Sequence, residues 1–187
     1  MKFKIKIGAG IVVFAFFLLI GGSRYIQADT LIPWFMAVFT HELGHLAVAF
    51  ICGAKIKSMT FDVFGARIAL SGELLSYNKE IAIAAAGPGV NFILGGILFE
   101  VFPNFSQFSF LLGFLNLMPI ITFDGYRILY SFASLHISPE RIDRCMRFIS
   151  VCAVITIWFF SVYMLLRYKA SFSLFLLSFA MLVRLCA

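Results

Sequence analysis

Six apolar stretches, at about 7–22, 31–52, 80–102, 108–131, 148–166 and 171–186, make up most of this chain, with short polar breaks between them. Roughly 20 apolar residues of helix cross a bilayer core, and backbone immersed in lipid must satisfy its own hydrogen bonds. Runs of this length therefore restrict the fold to an all-α polytopic membrane protein of about six transmembrane helices. The first and last runs are short and reach across with snorkelling flanks or a thinned bilayer. Composition agrees: 62% of the 187 residues are hydrophobic and 13% charged, against roughly 45–50% and 25% in soluble domains. A disordered chain, a disulfide scaffold and an ordinary soluble enzyme are excluded. The length leaves room for one membrane-embedded domain, residues 1–187, and none for a sizeable soluble one. Cys52, Cys145, Cys152 and Cys186 form no CxxC pair and read as buried membrane residues.

The formal net charge of +6 does not indicate nucleic-acid binding, because no basic groove with interleaved aromatics is present. The basic residues lie instead in the breaks between apolar runs. With the N-terminus inside, Lys2, Lys4, Lys6, Lys55, Lys57, Arg67, Lys79, Arg127, Arg141, Arg144, Arg147 and Arg184 fall on one side. Arg24, Arg167 and Lys169 fall on the other. This positive-inside bias predicts cytoplasmic loops at 53–79 and 132–147, with both termini cytoplasmic. Lys2, Lys4 and Lys6 before an apolar run could also mark a signal peptide, but no A-x-A-like site follows, and a retained helix is expected. Residues 59–72 (MTFDVFGARIALSG), with Gly65 at their centre, read as a short β-hairpin, a re-entrant element or an irregular surface loop.

Ionisable side chains deep in lipid cost on the order of 2.5–3.5 kcal/mol each on insertion scales, so they mark function. Of nine carboxylates, only Glu42 and Asp124 fall well inside predicted spans, and His41 and His45 flank Glu42. The resulting His41-Glu42-Leu43-Gly44-His45 is an H-E-x-x-H run. Four helical residues advance about 400°, so the two imidazoles share one face, one turn apart. So placed, they can bind one tetrahedral metal ion, with Glu42 beside them as a base. Two histidines merely satisfying each other would leave Glu42 buried and uncompensated.

A hydrolytic zinc site usually has three protein ligands. Asp124 suits the third position: like His45, it lies seven residues before the cytoplasmic end of its span, roughly 10 Å from the same membrane face. Pro119, in Asn116-Leu117-Met118-Pro119, lacks an N–H and should kink or break the helix, which membrane proteins tolerate beside a polar cavity. Ala84–Asn91 (AAAGPGVN) permits close helix approach and offers one amide to the bundle.

FTHELGH (39–45), AAAGPGVN (84–91) and NLMPIITFDG (116–125), on successive core helices between about 31 and 131, resemble the site-2 protease family of intramembrane zinc metalloproteases. Length and layout are similar to its compact bacterial branch, which includes the sporulation protease that processes a membrane-tethered pro-sigma factor. The resemblance implies one zinc ion held by His41, His45 and Asp124, with Glu42 catalytic and Asn91 near the substrate or transition state. It also implies a membrane-embedded protein substrate, a membrane regulator protein and a bacterial cell-membrane location. Tyr126 stands where many members carry a second glycine after the DG. No loop is long enough for the PDZ domain, nor the tail for the CBS domains, of some relatives. The alternatives are a catalytically inactive zinc-binding membrane partner and a small ion transporter. Against the first stands the intact Glu42, since a structural site needs no base. Against the second stands the lack of an inverted repeat.

Overall fold

The structure, a computed structural model, describes residues 4–7, 28–62, 65–71, 76–121, 123–168 and Ser178. The apolar runs at 7–22 and 171–186 lie outside these residues, apart from Ile7 and Ser178. The chain divides into two compact units, Met1–Leu117 and Met118–Ala187.

The first unit contains β1 (Lys4–Ile7), α1 (Ala28–Ile51), β2 (Lys55–Asp62), β3 (Gly65–Ser71), α2 (Tyr77–Ile97) and α3 (Pro103–Asn116). The three helices pack together on small and polar faces. On α1 the buried positions are Ala37, His41, Gly44, His45 and Ala49, one stripe at helical spacing. On α2 they are Ile83, Ala84, Gly87, Pro88, Asn91 and Gly95, and on α3 Phe105, Ser106, Ser109, Gly113 and Asn116. Large apolar side chains point outward, among them Phe39, Ile97 and Phe50, the last 85% exposed. An interior of small and polar residues beneath an apolar exterior is how helices pack in lipid, where close backbone approach replaces hydrophobic collapse as the driving force.

α1 ends in a Schellman motif. The Ala54 N–H bonds Ala49 O at 2.9 Å and the Gly53 N–H bonds Phe50 O at 3.0 Å. Gly53 has φ +72°, which a side chain would oppose. Lys79 Nζ donates to Cys52 O at 3.1 Å, tying the C-terminal end of α1 to the start of α2. Between these helices β2 and β3 pair antiparallel, with Met59 opposite Ile68 and a register shift between Ile56 and Ser58. β1 pairs parallel with the other edge of β2, Lys4 opposite Ser58, giving the order β1-β2-β3. As sequence, Lys4 and Lys6 read as the basic flank of a retained helix or of a signal peptide; pairing across some fifty residues leaves no local signature.

The second unit contains α4 (Asp124–Ala133) and α5 (Pro139–Tyr168). The expected span at 108–131 is not one helix. α3 stops at Asn116 and α4 starts at Asp124. Pro119 supplies the reason, since it has no N–H to donate and its ring obstructs the carbonyl four residues back. In the irregular stretch Ile120 N–H bonds Met118 O and Phe123 N–H bonds Ile120 O, both at 2.8 Å. The Ile121 N–H is taken by Ser150 Oγ on α5 at 2.9 Å. The stretch expected as a loop at 132–147 is also corrected, because α5 opens at Pro139 and its first turns carry an Asp143–Arg147 ion pair at 2.9 Å. Pairs four apart support a helix in sequence too polar to display an apolar face.

Among the described residues three helices are long and apolar enough to cross a membrane: Thr30–Ile51, Tyr77–Ile97 and Glu140–Arg167. α3 and α4, at 14 and 10 residues, are about 21 and 15 Å long, each too short to span a core of about 30 Å alone.

Candidate metal centre

His41 and His45 lie on the buried stripe of α1, 4% and 5% exposed. One turn apart, their rings meet edge to face with centroids 4.7 Å apart and Nε2 to Nε2 at 3.1 Å. The far nitrogen of each ring is held by α2. His45 Nδ1 is 2.7 Å from Ile83 O, and His41 Nδ1 is 3.2 Å from the Asn91 side-chain amide. Because a carbonyl only accepts, the His45 proton resides on Nδ1 and the neutral ring presents a bare lone pair at Nε2. A hydrogen bond at the remote nitrogen that fixes the tautomer is the arrangement found behind metal-ligating histidines.

Glycine makes this approach possible. A Cβ on Gly44, within the H-E-x-x-H run, would lie 2.7 Å from Ala86 O. The α2 backbone can therefore come close enough for Ile83 O and Asn91 to reach the rings. Glu42, between the histidines in sequence, is half-buried, with its Oε2 fully buried.

Asp124, in the second unit, is 8% exposed and occupies the first turn of α4. The break before it places the carboxylate at a helix N-terminus, where the unpaired N–H groups favour negative charge. Arg127 Nη1 lies 3.8 Å from its Oδ1, one turn on and 42% exposed, so solvent weakens the pair. Within the first unit His41 and His45 each offer one ligand nitrogen, and within the second Asp124 offers a carboxylate oxygen.

The donor chemistry fits zinc. Two imidazoles and a carboxylate are a common catalytic zinc set, and two nitrogens on a tetrahedral ion with bonds of 2.0–2.1 Å sit about 3.3 Å apart. The observed 3.1 Å is close to that spacing. Sequence reasoning singled out His41, His45 and Asp124 as ligand candidates but missed Ile83, whose backbone carbonyl carries no signal in residue identity. For Asn91 it supplied a place near the substrate and not the bond to His41.

Fold and histidine pair define a membrane-type helical scaffold with a candidate metal centre, and the comparisons point to metallopeptidases. The model for peptidase family M50 matches residues 30–107. Zinc metalloprotease MJ0392 of Methanocaldococcus jannaschii is 34% identical over 113 residues, covering 54% of this chain and 33% of that protein. The Synechocystis protein sll0528, provisionally named a zinc metalloprotease, is 37% identical over 75 residues, covering 40% of this chain and 20% of its own length. The matched part thus spans a fifth to a third of these curated relatives. The solved site-2 protease from Methanocaldococcus jannaschii superposes with a TM-score of 0.75 at 25% identity, over 97% of this chain and 88% of that one. Over residues 30–107 the chain is thus similar to peptidase family M50, and its fold is similar to that of the site-2 protease. The chain is an integral membrane protein.

Proposed function

We propose that this protein is an intramembrane zinc endopeptidase that hydrolyses a peptide bond in or near the transmembrane segment of a membrane-tethered protein. The observation that carries the reading is the buried imidazole pair, each ring locked at its remote nitrogen and both Nε2 atoms turned to one point. His41, His45 and Asp124 hold the ion. When bound, zinc supplies Lewis acidity, bringing a water's pKa down to about 7 and polarising a carbonyl.

The remaining work falls to the chain's own groups. Glu42 takes the proton of the attacking water and returns it to the departing amide nitrogen. Asn91 steadies His41: with a ligand lone pair at Nε2, the His41 Nδ1–H needs an acceptor, which the amide oxygen supplies when the amide turns that way. Its NH2 group is then free to donate to the oxyanion that develops on the substrate. A helical substrate hides its carbonyls, so it must be extended before cleavage, and the hairpin β2–β3 is suited to hold it by strand addition.

The same reading comprises six spans forming one domain over residues 1–187, both termini cytoplasmic, in a bacterial cell membrane, with a membrane regulator protein. A zinc-binding partner without activity has no use for Glu42. The test is incubation of the purified full chain and its Glu42→Gln variant with single-span substrates, with and without a zinc chelator. Cleavage by the wild type alone, abolished by the chelator, supports the reading; cleavage by both proteins ends it.

A further inference from the structure

We infer that Gly87 is a positioning residue for the metal ligands, its missing side chain being the space that the two imidazoles occupy. This rests on the metal-binding reading above. A Cβ on Gly87 would fall against His45 Nε2 and Cε1 and 2.8 Å from His41 Cε1. All three of its nearest neighbours are ligand-ring atoms, all far inside the roughly 3.5–4.0 Å at which carbon atoms settle against one another. The rings have little freedom to yield. His45 is tethered to Ile83 O and His41 to Asn91, both on the helix that carries Gly87. A methyl group there displaces a metal-binding nitrogen or breaks one of the two bonds that aim it.

Other glycines on α2 set the contrast. A Cβ on Gly89 or Gly96 meets nothing within 4 Å, and one on Gly95 only grazes α3, 3.3 Å from Ser109 Cβ. Gly44 has a different duty, since its clash would be with backbone, at Ala86 O. Of the glycines on α1 and α2, Gly87 is the one whose replacement strikes the donor atoms themselves.

The experiment uses the full chain purified in detergent micelles as wild type, Gly87→Ala, Gly89→Ala and the double variant His41→Ala/His45→Ala. Zinc affinity is read by chelator competition, and ligand geometry by the visible absorption of bound Co(II). Displaced ligand support weakens metal affinity by about 10–100-fold, the loss expected for Gly87→Ala together with an altered Co(II) spectrum. Gly89→Ala should stay within about twofold of wild type. Wild-type affinity and an unchanged spectrum in folded Gly87→Ala overturn the inference while leaving the metal site standing. Zinc retained by the double histidine variant overturns the metal site itself.

Should Gly87→Ala fold poorly, a thermodynamic cycle decides. The methyl group should lower the unfolding temperature in the wild-type background and have little effect in the double histidine variant, where the rings are gone. Equal losses in the two backgrounds would assign Gly87 to general helix packing and refute the inference.

Discussion

The α1–α2 pair and the stretch leading into α4 position metal-ligand candidates by opposite means. On α1, regular helix does the work: spacing of four puts His41 and His45 on one stripe, and the neighbouring helix fixes both rings from behind. At Asp124 regular helix is what must be absent. The chain breaks between Asn116 and Asp124 so that the carboxylate opens a new helix. Where periodicity places a side chain, a substitution of the side chain is the informative perturbation. Where a break places it, the backbone bonds of the break matter as much as the residue.

That contrast can be broken or sharpened by graded substitutions. The largest effect belongs to Glu42→Gln, which should retain zinc and lose cleavage by about 10²–10⁴-fold, the usual worth of a positioned acid–base group; single-turnover assays with metal analysis check both halves. Next is Asp124→Ala, expected to lower bound zinc well below about one equivalent per chain, since a catalytic site has three protein ligands to lose from. Elemental analysis decides, and undiminished zinc would remove Asp124 from the ligand set.

Ser150→Ala tests the break. It leaves the Ile121 N–H without its partner at 2.9 Å, a loss of about 0.5–1.5 kcal/mol for a part-buried bond. Denaturant titration of the detergent-solubilised protein measures it, and zinc affinity should fall with it because the stretch leading to Asp124 loosens. Arg127→Ala should do least. The pair at 3.8 Å is partly solvated, and such pairs are worth about 1 kcal/mol or less. A loss of activity comparable to Asp124→Ala would show that Arg127 has a chemical role.

How much of this was legible in the sequence follows the same division. The predicted spans at 31–52 and 80–102 correspond to α1 and α2, Ala28–Ile51 and Tyr77–Ile97, because a long helix in lipid announces itself by unbroken hydropathy. The run at 108–131 defeated that method, since residues 117–123 are as apolar as the helices around them; Pro119 alone hinted at a break. The start of α5 was concealed for the converse reason, its first two turns being rich in Arg, Asp and Glu. Strand β1 escaped because its partner lies far along the chain. AAAGPGVN could be read as a surface for close helix contact, but which glycine faces which atom is a property of two helices together.

The bond from His45 to Ile83 O has a genetic corollary. Ile83 offers its carbonyl through the peptide unit, and every amino acid has one. Scanning mutagenesis along α2 would therefore pass over this contact without a signal, although it dictates which nitrogen of His45 carries the proton. Chemistry lodged in the main chain is shielded from single-codon change, and drift at position 83 can alter bulk and fit without erasing that instruction.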